Sequence, residues 1–114
     1  MATVNTVQLV APIQLTGSDA PYYTAPPNTS AKIGRAVFSN PDTSVHTITA
    51  NIVPLAGSAG VGNQIINARS LAPGETYVSP ELAGAVIPPG SSLHGLADTA
   101  TKVVLMVSGL TIVQ

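Results

Sequence analysis

Proline and glycine break this chain so often that no long helix fits between them. There are ten of each in 114 residues, and the intervals between them hold β-branched and other apolar runs of strand length. Such spacing predicts an all-β fold, an antiparallel two-sheet β-sandwich of the jelly-roll or immunoglobulin-like kind, with about seven or eight strands. The first run, Val4 to Leu15, contains Pro12, which predicts an edge strand or a bend. Further strands are expected at Lys32–Ser39, Val45–Val53, Gln64–Leu71, Glu75–Val78, Ser91–Ala97 and Lys102–Val113, while Tyr22-Tyr23-Thr24 follows a loop and enters Ala25-Pro26-Pro27-Asn28. Turn chemistry separates them at Asn40-Pro41-Asp42, Ala72-Pro73-Gly74 and Pro88-Pro89-Gly90. One helical turn is expected at Pro80–Ala85. The length suits one domain over residues 1–114, with 1–20 as an N-terminal strand or arm.

Two strands carry the clearest patterns. In Val45–Val53, residues Ile48, Ala50 and Ile52 share a face with His46, while Thr47, Thr49 and Asn51 take the other. In Lys102–Val113, Val103, Leu105 and Val107 occupy one face and Val104, Met106, Leu110 and Ile112 the other. A strand apolar on both faces is usually covered on both. Its second face then meets a loop, an N-terminal strand or another subunit, or else belongs to an ordinary central strand left partly open. The excess of apolar surface near both termini makes Val4, Val7, Leu9, Ile13, Leu15, Val104, Met106, Leu110 and Ile112 the candidate assembly contacts.

Charge excludes several classes of function. Charged residues are 8% of the chain, against about 25% in ordinary soluble domains. Lys32, Arg35, Arg69 and Lys102 are the only strong bases, too few for the basic stripe of a nucleic-acid binder. Neither a basic amphipathic helix nor an apolar run long enough for a membrane helix is present. With 45% apolar residues the chain has the material for a core. So little charge is consistent with a surface covered by neighbours, and equally with a neutral, hydroxyl-rich extracellular or viral domain. Met1 to Val10 lacks the pattern of a signal peptide, so release into the cytoplasm of the producing cell is expected.

The chemistry-bearing residues are sparse. There is no cysteine, which removes thiolate chemistry, disulfides and cysteine-ligated metals. The carboxylates Asp19, Asp42, Glu75, Glu81 and Asp98 all fall in or beside turns. His46 is expected to bond the turn before its strand, and no other residues cluster with His94 as metal ligands. A Ser-His-Asp set assembles only in three dimensions, and no Gly-x-Ser-x-Gly elbow is present. The Gly57–Gly62 stretch lacks the lysine of a phosphate-binding loop and reads as a flexible hairpin connection. Neither an enzyme nor a cofactor is expected. Tyr22 and Tyr23 are the candidate surface aromatics, either flanking a shallow sugar site or packed as amphipathic plugs.

A series of turns and strand ends is familiar as a pattern. It runs from Tyr23-Thr24-Ala25-Pro26 and Asn28-Thr29-Ser30-Ala31 through Ile52-Val53-Pro54, Gly57-Ser58-Ala59-Gly60 and Asn63-Gln64-Ile65-Ile66. It continues with Leu71-Ala72-Pro73-Gly74-Glu75-Thr76, Ser91-Ser92-Leu93-His94-Gly95-Leu96-Ala97 and Val107-Ser108-Gly109-Leu110-Thr111-Ile112. This resembles the small β-sandwich virion proteins of tailed bacteriophages, of the capsid decoration (cement) or tail and fibre accessory type. Gly90-Ser91 departs from that pattern, in which Gly-Asp is expected at the turn. The resemblance implies a virion protein made in the host cytoplasm. It would form a homo-oligomer, a trimer or dimer, and partner other virion proteins, the major capsid protein first among them. Capsid decoration is the leading expectation, a tail, collar or fibre module the second, and a carbohydrate-binding host-attachment module the third.

Overall fold

The computed structural model describes residues 3–114. Its strands are β1 (Thr3–Gln14), β2 (Ala20–Thr24), β3 (Thr29–Ser39), β4 (His46–Val53), β5 (Gln64–Leu71), β6 (Thr76–Val78), β7 (Val86–Ile87), β8 (Ser92–Ala97) and β9 (Val104–Val113). One sheet has the order β1-β9-β3-β6, with β7 also on β3, and the other has the order β2-β8-β4-β5. With the short β7 set aside, β1 and β2 run beside β9 and β8, while β3 and β4 run beside β6 and β5. A long antiparallel ribbon has thus been rolled over two layers. This is the jelly-roll connectivity, which decides between the two sandwiches that strand spacing alone left open.

Seven of the nine strands lie where the punctuation places them, and an eighth, β2, takes in the Tyr22–Thr24 stretch. The ninth, β7, has two residues, too few to show a period. Tertiary contact creates it: Ile87 is fully buried and pairs with Ala31. Before it, the turn at 80–84 begins with Ser79 Oγ accepting the Leu82 amide at 3.2 Å, and this plants Leu82 in the core.

The layers meet over Phe38, Ile33, Ala36, Leu105 and Val107 from one sheet and Ile48, Ala50, Leu71, Leu93 and Ala97 from the other. In β4 the inner face follows the alternation: Ile48 pairs with Ala97, Ala50 with Gly95 and Ile52 with Leu93. His46 sits on the same face opposite Leu71, at the end of the sandwich. The outer face of β4 departs from simple exposure, because Asn51 and Val53 are buried there. The β4–β5 connection folds back over them. Asn51 Nδ2 donates to Gly60 O at 3.0 Å and to Asn63 Oδ1 at 2.9 Å, and Asn63 Nδ2 donates to Ser58 O at 2.9 Å. The Gly57–Gly62 stretch is therefore a loop pinned by two asparagines, with a 3-10 turn at Val61–Asn63.

One open side of the sandwich, between β5 and β6, is closed by three side chains. Phe38 and Tyr77 stack with ring centroids 6.4 Å apart, and the Arg69 guanidinium lies 3.9 Å from the Tyr77 centroid. Tyr77 donates its hydroxyl hydrogen to Glu81. Burial and that carboxylate together push the Tyr77 phenol upward, and the same bond holds Glu81 below its ordinary range. Asn40 ties the β3–β4 turn to the β5–β6 turn from a fully buried position.

β1 is an edge strand, as Pro12 predicts. Its ladder with β9 slips once between Gln8 and Val10 and again between Val10 and Ile13, the interval that contains the proline.

A candidate assembly face

Residues directly opposite in an antiparallel ladder share a face, so the β1-β9-β3 register sorts the candidate contacts. Val107 pairs with Val10 and Ala36, all buried, and marks the inner side. Val104, Met106, Ser108, Leu110 and Ile112 then form the outer row of β9. Ile112 has Val4 on one flank and Ser30 on the other, Leu110 has Thr6 and Lys32, and Met106 has Val37. Val78 opposite Val37 and Val86 opposite Lys32 extend the same surface. Val4 is 59% exposed, Val86 53% and Val78 45%. Val104, Met106, Leu110 and Ile112 are half-buried. Lys32, opposite Leu110, and Arg35, opposite Ser108, place two strong bases on this surface. Five of the nine expected contacts are thereby gathered on one sheet face, which is largely apolar and carries two cations.

The other four divide. Val7 lies opposite Gly109 and Ile13 opposite Leu105, and both are exposed at the margin of β1. Leu9 and Leu15 are corrected: both are buried in the core, Leu15 completely, and neither can touch a partner. Alternation along β1 could not separate them, because the ladder slips change which face follows which residue. Val78 and Val86 are surface members that the sequence reading missed. Only the pairing of β6 and β7 with β3 puts them there.

Tyr22 and Tyr23 are half-buried and packed against the core rather than presented as stacking platforms. The Tyr22 hydroxyl accepts the Thr16 amide at 2.9 Å, and burial pushes the Tyr23 phenol upward. Of the two readings for this pair, the structure matches the amphipathic plug.

The acid–base groups form two struts. His46, itself buried, places Nε2 2.7 Å from Asp42 Oδ2 and Nδ1 2.8 Å from Asp98 Oδ1. Carboxylates only accept, so both contacts are hydrogen bonds when both ring nitrogens carry hydrogen. The bonds to Asp42 and Asp98 accordingly raise the imidazole pKa, and the bond from His46 lowers that of Asp42. The strut clips the β3–β4 turn to the β8–β9 turn.

The second strut joins Asp19, His94 and Ser92, with His94 Nδ1 2.7 Å from Asp19 Oδ2 and Nε2 3.0 Å from Ser92 Oγ. Its outline is that of a Ser-His-Asp set. Ser92 and Leu93 lie within β8, paired with β2 on one side and β4 on the other. In its neutral form His94 donates to Asp19 and accepts from Ser92, which orients Asp19 beside a shallow cleft of about 240 Å³. Thr49, Asn51, Gln64 and Leu96 line that cleft, with no aromatic ring. Among the described residues no group of three His, Cys, Asp or Glu side chains is placed to hold a metal ion, and no helix is long and apolar enough to cross a membrane.

No protein-family model matches the chain, and no curated protein sequence matches it. Solved structures do. A chain from the structure of the infectious bursal disease virus Gx strain superposes with a TM-score of 0.56 over 97% of this chain, at 15% identity and over 32% of its own length. A chain of T=1 particles derived from the same virus gives 0.53 at 14% identity, covering 97% of this chain and 31% of that one. A chain of the T13 particle of that virus gives 0.50 at 12% identity, covering 97% and 30%. The present chain spans about a third of the length of these neighbours. The shared feature is the fold: the rolled sandwich of this chain is one found in chains of virus particles.

Proposed function

We propose that this chain is a structural protein of a virus particle, and specifically a decoration protein on the outer capsid surface of a tailed bacteriophage. The observation that carries the proposal is the outer face of the β1-β9-β3-β6 sheet. There an apolar row through Met106, Leu110 and Ile112 continues into Val4, Val78 and Val86, in a chain with 8% charged residues. A stable protein interface buries about 1,600 Å² in total. The face carries two charges, Lys32 and Arg35, so the ionic desolvation that opposes docking is limited to that pair. The likeness to chains of virus particles supports the virion role, and the turn pattern from Tyr23 to Ile112 supports the phage setting. The occupant of the face is the major capsid protein. Several copies on neighbouring capsomers add modest contacts into strong retention. The role is one of binding and needs no catalytic group.

The test is co-sedimentation with undecorated capsids built from the phage's own major capsid protein. The chain is expected to pellet with the capsids and to raise their thermal disruption temperature. Leu110→Lys with Ile112→Lys is expected to stay folded and remain in the supernatant. Binding to purified tails or fibres with none to capsids would move the protein to a tail, collar or fibre module. Binding to neither would end the virion reading.

A further inference from the structure

We propose that two copies of this chain pair antiparallel through the free edge of β1, joining their β1-β9-β3-β6 sheets into one continuous sheet. The proposal does not depend on the capsid reading, because it concerns what the chain does alone in solution. It starts from a contrast among the sheet edges. Natural sandwiches guard exposed edges with short strands, prolines, breaks and charges. β2 has five residues, begins Ala20-Pro21 and slips in register after the proline. β5 slips twice against β4, carries Ala68 in a left-handed conformation (φ 47°) and bears Arg69. β6 and β7 have three and two residues, with Glu75 and Glu81 close by.

β1 keeps its guards beyond Gln8, where Pro12 and both of its register slips against β9 fall. It is twelve residues long and contains no Asp, Glu, Lys or Arg, and its one proline lies near the far end. From Thr3 to Gln8 it pairs residue for residue with β9 without a slip, and all six residues are exposed. Along that run about half of the backbone N–H and C=O groups point away from β9, toward water.

The edge fits its own copy. A two-fold axis perpendicular to the sheet keeps outer-face residues opposite outer-face residues. Val4, Thr6 and Gln8 then meet their own set, and Thr3, Asn5 and Val7 meet theirs. Centred on Asn5, the axis sets Val4 opposite Thr6 and Thr3 opposite Val7, β-branched pairs that suit a ladder. No register brings like charges together, since the strand has none. The pairing also places the two Val4 side chains beside one seam, so the apolar outer faces of both copies become continuous.

Area sets the strength. Six residues span about 20 Å, and a sheet edge is about 10 Å deep, so roughly 400 Å² is buried over both copies. That lies well below the ~1,200 Å² at the lower end of stable interfaces. The dimer is therefore weak and concentration-dependent when free.

Sedimentation velocity across a concentration series tests this on the full chain. The weight-average mass is expected to rise from monomer toward dimer with concentration, and Asn5→Lys, which sets like charges across the axis, is expected to hold it at monomer with an unchanged Tm. Because the chain has no cysteine, Asn5→Cys supplies a second measurement. Mild oxidation is expected to yield a disulfide-linked dimer in at least tenfold excess over Val61→Cys, whose position in the β4–β5 connection is 90% exposed. A mass that stays monomeric at millimolar concentration, with Asn5→Cys cross-linking no better than Val61→Cys, would overturn the proposal. A dimer that Asn5→Lys leaves intact would overturn it as well, since another surface would then be responsible.

Discussion

Asn40 and His46 show how few polar side chains hold the ends of this sandwich. Asn40 is fully buried, and its Nδ2 donates toward the carbonyls of Ser44 (2.9 Å), Leu71 (3.0 Å) and Ala72 (3.2 Å), while Oδ1 accepts the Asp42 amide at 3.1 Å. Asn40→Ala would strand these backbone groups, and a loss on the order of 3 kcal/mol is expected in urea unfolding. His46 gives a pH signature instead. Its folded pKa is raised, so its contribution is complete below the unfolded value of about 6.5 and is lost as pH climbs through the raised value. Asp42 runs the other way: its folded pKa is lowered, so its contribution holds above about 3.9 and fades as pH falls through the lowered value. Between these limits the strut is intact. Thermal midpoints are expected to fall as pH rises above about 6.5 in the native chain, and His46→Gln is expected to flatten that limb.

At the scale of elements, register is pinned at a single glycine. Gly109 lies between β1 and β3 at the β3 slip between Ile33 and Arg35, and the β1 slip between Gln8 and Val10 follows one residue on, opposite Ser108 and Val107. A Cβ on Gly109 would stand 2.0 Å from the Lys32 carbonyl oxygen and 2.9 Å from the Gly34 nitrogen, both backbone atoms that no rotamer change can move. Gly109→Ala must therefore open the β3·β9 ladder, and a loss of about 3 kcal/mol or more is expected. Across the bulge, a Cβ on Gly34 would meet the Ser108 carbonyl at 3.4 Å. Gly34→Ala is expected to cost less than about 1 kcal/mol. Equal losses in the two variants, measured by denaturant midpoint, would show that the paired bulges do not set the register.

Over the whole molecule, the two faces of β9 do different work. Leu105 and Val107 face the second sheet and are buried, while Met106 and Ile112 face outward and are half-buried. Leu105→Ala is expected to destabilise the monomer by about 2–5 kcal/mol through the cavity it leaves. Met106→Thr and Ile112→Thr are expected to change it by less than about 1 kcal/mol, and under the proposed decoration role their effect appears in capsid binding. A stability loss of equal size on both sides would mean that the outer row is held by the monomer itself.

The local signals in the sequence were sufficient for the longer strands and for the class of fold. Period-two alternation in Ile48, Ala50 and Ile52, and turn residues such as Asn40-Pro41-Asp42, act over a few residues and need no partner to be read. The rolled topology, the covering of Asn51 by its loop, and the bond between His46 and Asp98, 52 residues apart, rest on contacts distant along the chain. So does the division of the apolar residues of β1 and β9. Alternation assigns each side chain to one of two faces, but it carries no information about which face meets the second sheet. Leu9 and Leu15 went inside and Val4 stayed outside because ladder slips and the placement of the opposite layer decided burial, and those exist only once the sheets have formed.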